Sequence, residues 1–126
     1  MTAAPPTIAV VDDEPALRKA LGRLLRLNDC EVIAFASGDE FLQRWESDRI
    51  DCVLLDLHLP GKTDGFRVLD ALRFRRNHPA VVVMTGHDQP GYEQQVRRLG
   101  AAAYLHKPID EVSLMAAIWV AVGEGE

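Results

Sequence analysis

Three carboxylates, one hydroxyl and one lysine stand beside short apolar runs of this 126-residue chain. Asp12 and Asp13 follow Ile8-Ala9-Val10-Val11, Asp56 follows Val53-Leu54-Leu55, Thr85 follows Val81-Val82-Val83-Met84, and Lys107 precedes Pro108. Clustered carboxylates repel one another, so Asp12, Asp13 and Asp56 stay ionised together only beside compensating positive charge. A hard divalent ion held by one or two carboxylates, waters and phosphate oxygens meets that need in the way magnesium prefers. Lys107 adds a second, fixed positive charge, and Thr85 a hydroxyl that can donate to a phosphate oxygen. The set suits phosphoryl transfer, where positioning and charge neutralisation do most of the catalysis and a carboxylate can itself be the nucleophile. Asp56 stands alone at the end of its run and is the expected acceptor, giving an aspartyl phosphate. The Asp12-Asp13 pair suits metal binding.

These residues can meet only if the runs are parallel strands of one sheet, whose carboxyl ends open into a common crevice. Runs of strand length do alternate with amphipathic stretches of helix length, the pattern of βαβ units. The first helix is expected over about Pro15–Leu27, with Leu17, Leu21, Leu24 and Leu25 on one face, ended by Asn28 and Asp29. A second strand, about Glu31–Phe35, leads to Ser37-Gly38-Asp39-Glu40, where Ser37 can cap a helix and Glu40 reach back to it. That helix carries Phe41, Leu42 and Trp45. The third strand, Cys52–Leu55, is followed by a loop with Pro60, Gly61 and Gly65, then a helix bearing Phe66, Leu69 and Leu72, stopped by Asn77-His78-Pro79. Pro90 suits the first turn of a fourth helix with Tyr92, Val96 and Leu99 on its face and Gly100 as its cap. The fifth strand is about Ala103–His106, and Asp110 caps a last helix whose face is Val112, Met115, Ile118, Trp119 and Val122. The third and fourth runs are continuously apolar, which places them inside a sheet covered by helices on both faces. The expected fold is therefore α/β: a doubly wound (βα)5, flavodoxin-like domain with a five-stranded parallel sheet.

Hydrophobic residues make up 48% of the chain and charged residues 26%, an ordinary globular balance. The formal net charge of −5 disfavours general nucleic-acid binding, which depends on neutralising phosphates. Cys30 and Cys52 lack metal-type spacing and read as buried free thiols. No stretch has the length of a signal sequence or a membrane span, so a cytoplasmic location is expected.

The stretches Val10-Val11-Asp12-Asp13-Glu14, Leu54-Leu55-Asp56-Leu57-His58-Leu59-Pro60, Val83-Met84-Thr85-Gly86-His87 and Tyr104-Leu105-His106-Lys107-Pro108, in this order, resemble the receiver domain of two-component response regulators. The resemblance spans about Ile8 to Val122. It implies that Asp56 accepts a phosphoryl group from a sensor histidine kinase or histidine phosphotransfer protein. It implies also that Asp13, Asp56 and the backbone carbonyl of His58 ligate Mg2+ while Asp12 assists through water, that Thr85 and Lys107 grip the phosphoryl oxygens, and that the Lys107-Pro108 bond is cis. Thr85 and Tyr104 would form the switch, with Tyr104 turning inward as Thr85 is recruited. The surface bearing Tyr92, Arg97 and Arg98 would meet a downstream protein partner or a second copy of the chain, with no direct role for nucleic acid or membrane. His58 and His87 flank the crevice and are expected to tune access to the phosphate. His78 and His106 read as structural or exposed, and Arg73, Arg75 and Arg76 as a solvated helix face. One departure stands out: Gly65 lies one residue farther from Asp56 than the family pattern has it. Either Gly61-Lys62-Thr63-Asp64 is a loop with an extra residue, or the next helix starts in a shifted register.

Residues 1–126 read as a single domain with a polar tail, Gly123-Glu124-Gly125-Glu126, and no output domain, hence a stand-alone regulator or an excised receiver. Three other functions compete. A phosphatase or phosphotransferase of the haloacid-dehalogenase type wants a second acid two residues past the nucleophile, where this chain has His58. A flavodoxin-like nucleotide binder wants glycines and amides where Asp12-Asp13-Glu14-Pro15 is acidic. A receiver fold that docks constitutively, without phosphorylation, differs by no sequence feature.

Overall fold

The apolar runs form five parallel strands: β1 (Thr7–Val11), β2 (Glu31–Phe35), β3 (Cys52–Asp56), β4 (Ala80–Thr85) and β5 (Ala103–His106), in the spatial order β2-β1-β3-β4-β5. The helices between and after them are α1 (Pro15–Leu27), α2 (Gly38–Arg44), α3 (Gly65–Arg73), α4 (Tyr92–Arg98) and α5 (Glu111–Glu124). The computed structural model describes residues 4–124, so the last two residues of the expected tail and the first three of the chain lie outside the described residues. The strand order reverses between β1 and β3, and the crevice opens there, as a doubly wound sheet requires.

Side chains alternate across the sheet and fill two cores. Val11, Leu55 and Val83 pack with Phe35, Phe41, Val68, Leu69 and Val96 on one side, whereas Val10, Leu54 and Val82 pack with Leu21, Leu25, Leu114 and Ile118 on the other. Every residue of β3 is buried, as an interior strand covered on both faces demands. Cys30 and Cys52 are buried free thiols, and burial pushes the Cys52 thiol up to about 12, so it stays protonated at neutral pH.

The local signals hold at most helix ends. The Ser37 hydroxyl accepts from the Glu40 amide at 3.1 Å, Asp110 accepts from the Ser113 amide at 2.9 Å, and Gly100 follows α4 with φ +102°. Four details differ. The helix carrying Phe41 and Leu42 stops at Arg44, and Trp45 sits in a separate single 3-10 turn. α3 ends at Arg73, before Asn77-His78-Pro79. α4 begins only at Tyr92, because Gly91 takes a left-handed φ of 88° at its N-cap, leaving Pro90 in the preceding turn. On α5 the buried residues are Leu114, Met115, Ile118 and Ala121, while Val112 is 77% and Trp119 46% exposed. From Val112 to Gly123 this helix has no charged residue, so its periodicity lacks the polar face that would have set the phase.

The extra residue after Asp56 is taken up in the loop. Gly61 turns it at φ +86°, Asp64 accepts from the Arg67 amide at 3.0 Å to cap α3, and the Gly65 amide donates to the Leu57 carbonyl at 3.0 Å. A Cβ on Gly65 would lie 2.6 Å from the Leu57 Cα and 2.8 Å from the Asp56 carbonyl oxygen. Both are backbone atoms with no freedom to swing away. Gly65→Ala is therefore expected to cost about 1–3 kcal/mol, the range for overpacking, measured by urea denaturation. A loss below about 0.5 kcal/mol, within the scatter of ordinary surface changes, would show that the loop yields.

Candidate functional site

Each chemical residue of the crevice is delivered by the end of an interior or neighbouring strand. Main-chain bonds continue past the ladders and fix those ends: Asp12 to Phe35 at 3.2 Å, Leu57 to Met84 at 2.9 Å and Lys107 to Thr85 at 2.8 Å, amide to carbonyl in each case. Carboxylate oxygens of Asp12, Asp13 and Asp56 come within 4.8 Å of one another. Asp12 and Asp56 are buried and Asp13 is exposed, so the cluster has one open side. Three hard oxygen donors around that opening are a donor set for a divalent cation.

Lys107 enters the cluster from β5. Its Nζ donates to Asp12 Oδ2 at 2.9 Å and stands 3.5 Å from Asp56 Oδ2. Burial pulls the Lys107 pKa down, but the bond to Asp12 and the charges of Asp56 and Asp12 more than offset it, and the net direction is up. Asp56 is shifted up as well: desolvation outweighs the His58 amide, which donates to Oδ1 at 3.1 Å, and the charge of Asp12 adds to the rise against Lys107. Asp12 also serves local structure, because its Oδ1 accepts from the Glu14 amide at 2.9 Å just before α1.

Thr85 is buried at the end of β4, where its Oγ1 accepts from the His87 amide at 3.0 Å. That bond uses a lone pair and leaves the hydroxyl proton to donate. The His58 ring reaches across the mouth, its Nε2 at 3.0 Å from the His87 carbonyl and its centroid 5.6 Å from the His87 ring and 5.8 Å from Tyr92. Two loops thus meet over the crevice through these side chains. The Lys107-Pro108 peptide is cis.

Tyr104 already lies inward, with only 8% of its surface exposed. Its hydroxyl donates to Asp88 Oδ1 at 2.6 Å, and Asp88 Oδ2 lies 3.1 Å from His106 Nε2. Burial, and then the Asp88 carboxylate, raise the Tyr104 phenol above its usual range. Bonds from Tyr104 and His106 hold the Asp88 carboxyl below its own. Asp88 carried no signal in the sequence: its partners lie 16 and 18 residues away, and only the fold brings β5 beside the loop after β4. His78 bonds its neighbour, Nδ1 to the Pro79 carbonyl at 2.9 Å. Arg75 pairs with Glu46 and Arg97 with Glu93 on solvated surfaces, where such pairs contribute little.

The response regulator receiver domain family model matches residues 8–119. The transcriptional regulatory protein FixJ of Azorhizobium caulinodans is 34% identical over 92% of this chain and 54% of its own length. The tetrathionate response regulatory protein TtrR of Salmonella typhimurium is 37% identical over 89% of this chain and 54% of its own. The chain thus spans about half the length of these curated relatives. Among solved structures, a receiver domain from Clostridium thermocellum superposes with a TM-score of 0.87 at 30% identity, covering 94% of this chain and 95% of that one. A CheY-like receiver domain from Methanospirillum hungatei gives 0.88 at 25% identity over 96% of each. With the crevice at the switch point of the sheet and the match running from β1 into α5, this chain belongs to the response regulator receiver domain family.

Proposed function

We propose that Asp56 is the phosphoryl acceptor and that the chain is a phosphorylation-dependent switch. The observation that carries this reading is the joint placement of three carboxylates within 4.8 Å and of Lys107 against two of them. In the transfer, a carboxylate oxygen of Asp56 bonds to phosphorus as the phosphorus–nitrogen bond of a donor phosphohistidine breaks. The electron pair of that bond leaves with the donor imidazole. Lys107 balances the charge gathering on the phosphoryl oxygens, and the Thr85 proton is available to one of them. Asp13, Asp56 and the backbone carbonyl of His58 would hold Mg2+, with Asp12 acting through water. Bound there, the ion neutralises the phosphoryl oxygens and keeps Asp56 ionised.

The donor is then a sensor histidine kinase or a histidine phosphotransfer protein, in the cytoplasm, where ATP charges such donors. Recruitment of Thr85 by the phosphoryl group would move the loop after β4 and alter the surface of α4, β5 and α5, which includes Tyr92, Arg97 and Arg98. That surface would bind a downstream protein or a second copy of the chain, while any contact with DNA would belong to a separate domain. A small free-energy bias between two existing states suffices. The chain lowers the barrier to its own modification but turns over no free substrate, so it is a switch and not an enzyme in the ordinary sense.

With Mg2+ and acetyl phosphate, intact mass should rise by one phosphoryl group, and chelation should prevent the rise. Asp13→Ala, which removes the exposed ligand, should weaken Mg2+ binding about tenfold or more, ~1.4 kcal/mol, followed by titration calorimetry. Unchanged metal affinity would refute the role of Asp13. Absence of any labelling would favour a constitutive docking module.

A further inference from the structure

We infer that Asp88 is a positioning residue for the switch: its carboxylate clamps Tyr104 in the buried orientation and ties the loop after Thr85 to β5 before any phosphoryl group arrives. The significance of the clamp for signalling rests on the switch reading above. Its existence does not.

Tyr104 and His106 are two apart on β5 and so project on one side of the strand. Their rings meet edge to face at 5.4 Å. Asp88 gives one oxygen to each, at 2.6 Å and 3.1 Å, so a single carboxylate spans both. The phenol contact has the length of an O–H bond to an ionised acceptor, stronger than a bond between neutral groups. The body of the Tyr104 ring packs in the core with Val81, Val83 and Val96. Only its tip is polar, and Asp88 meets that tip. An outward ring would lose both the packing and the carboxylate.

Asp88 is also three residues from Thr85, in a turn whose Thr85 end is held twice. The His87 amide bonds Thr85 Oγ1 at 3.0 Å, and the Lys107 amide bonds the Thr85 carbonyl at 2.8 Å. A movement that brings the Thr85 hydroxyl to a phosphoryl oxygen must carry Asp88 with it or stretch its bonds to β5. The clamp therefore favours the inward ring at rest. Phosphorylation then has less left to do at Tyr104 than in a receiver whose aromatic starts outside.

The chain has two tyrosines, Tyr92 and Tyr104, so a ring-13C-tyrosine NMR spectrum contains two readable spin systems. Without ligand, Tyr104 should show a Cζ shift marking donation to a carboxylate and cross-peaks to core methyls. In Asp88→Ala that shift should move toward the solvent-exposed value and the cross-peaks weaken. Asp88→Asn, which keeps the shape and a neutral acceptor, should fall between. Tyr104→Phe combined with Asp88→Ala should destabilise by less than the sum of the two single changes, since both remove the same bond. Beryllofluoride with Mg2+ should then move the Tyr104 signals more in Asp88→Ala than in the unaltered chain. Ligand-free Tyr104 signals unchanged in Asp88→Ala would overturn the clamp and leave core packing and the Thr85 side chain to hold the ring. Should beryllofluoride shift nothing around Asp56 in either protein, the phosphoacceptor reading fails, while the ligand-free comparison still decides the role of Asp88.

Discussion

Asp56→Asn is expected to abolish phosphorylation and, without metal, to raise stability by about 0.5–2 kcal/mol, the scale of single stabilising replacements at functional sites. The two effects have one origin. Asp56 is 5% exposed, and its burial beside Asp12 outweighs the help of Lys107 and the His58 amide, so its folded pKa lies above the ordinary carboxylate value. A carboxyl group with a raised folded pKa binds its proton more tightly in the folded state. Its contribution is then most favourable below the unfolded pKa and is lost as pH rises through the folded one. Near pH 7 the ionised side chain is a net burden on the fold, and the neutral amide removes it. Urea denaturation should show the variant's advantage shrinking as pH falls through the folded pKa toward the ordinary carboxylate range. Mg2+ should narrow the gap at pH 7 by binding the folded acidic cluster of the unaltered chain. If the Asn variant is the less stable protein at pH 7 without metal, the amide bond to His58 and the charge of Lys107 outweigh burial, and this account of Asp56 is wrong.

Lys107→Ala should cost about 3 kcal/mol without metal, the lower end of what is lost when a buried charge is stripped of its partner. Asp12 is fully buried and its Oδ2 has Lys107 Nζ at 2.9 Å. The variant leaves that carboxylate facing Asp56 and Asp13 without its paired ammonium, since the nearby Arg18 guanidinium bonds the Asp12 backbone carbonyl instead. Because the net shift of Lys107 is upward, its stabilising contribution is complete below the unfolded lysine pKa. It disappears only as pH rises through the still higher folded value, so at pH 7 all of it is at stake. Phosphorylation by acetyl phosphate should also slow about 10²-fold or more, as when a positioned electrostatic group is removed from an active site. Lys107→Arg keeps the charge but spreads it over a planar fork too wide for the same notch, and should recover stability better than rate. Denaturation midpoints with and without Mg2+ separate the terms, since the ion should restore part of the stability of Lys107→Ala. A change below about 0.5 kcal/mol would mean that solvent already screens the pair.

The chemical residues were legible because each stands at the end of an apolar run, and a parallel sheet gathers all such ends at one edge. Asp12, Asp13, Asp56, Thr85 and Lys107 needed no tertiary detail beyond strand direction to be brought together. Helix ends were legible for a similar reason: Ser37, Asp110 and Gly100 act on backbone groups within a few residues of themselves. α1 could be read from its four leucines, since charged residues on the opposite face give the pattern a phase.

α5 had no such phase. Its uncharged sequence left Val112 and Trp119 as plausible core residues, and only docking against the sheet selected Leu114 and Ala121 instead. The loop after Asp56 offered two registers, and the choice came from a close approach, Gly65 against the backbone of Leu57, that no local preference encodes. Asp88 went unnoticed because an isolated acid in a loop is ordinary until β5 lies beside it. The chain by itself determined which strand ends carry the acids, the hydroxyl and the lysine, and that the acids gather, because these depend on local pattern and on one edge of one sheet. Only the tertiary structure decided which face α5 buries, how the extra loop residue is absorbed and what holds Tyr104 inward. Each of these depends on the distance between groups far apart in the chain, which periodicity and local hydrogen bonding leave free and packing sets.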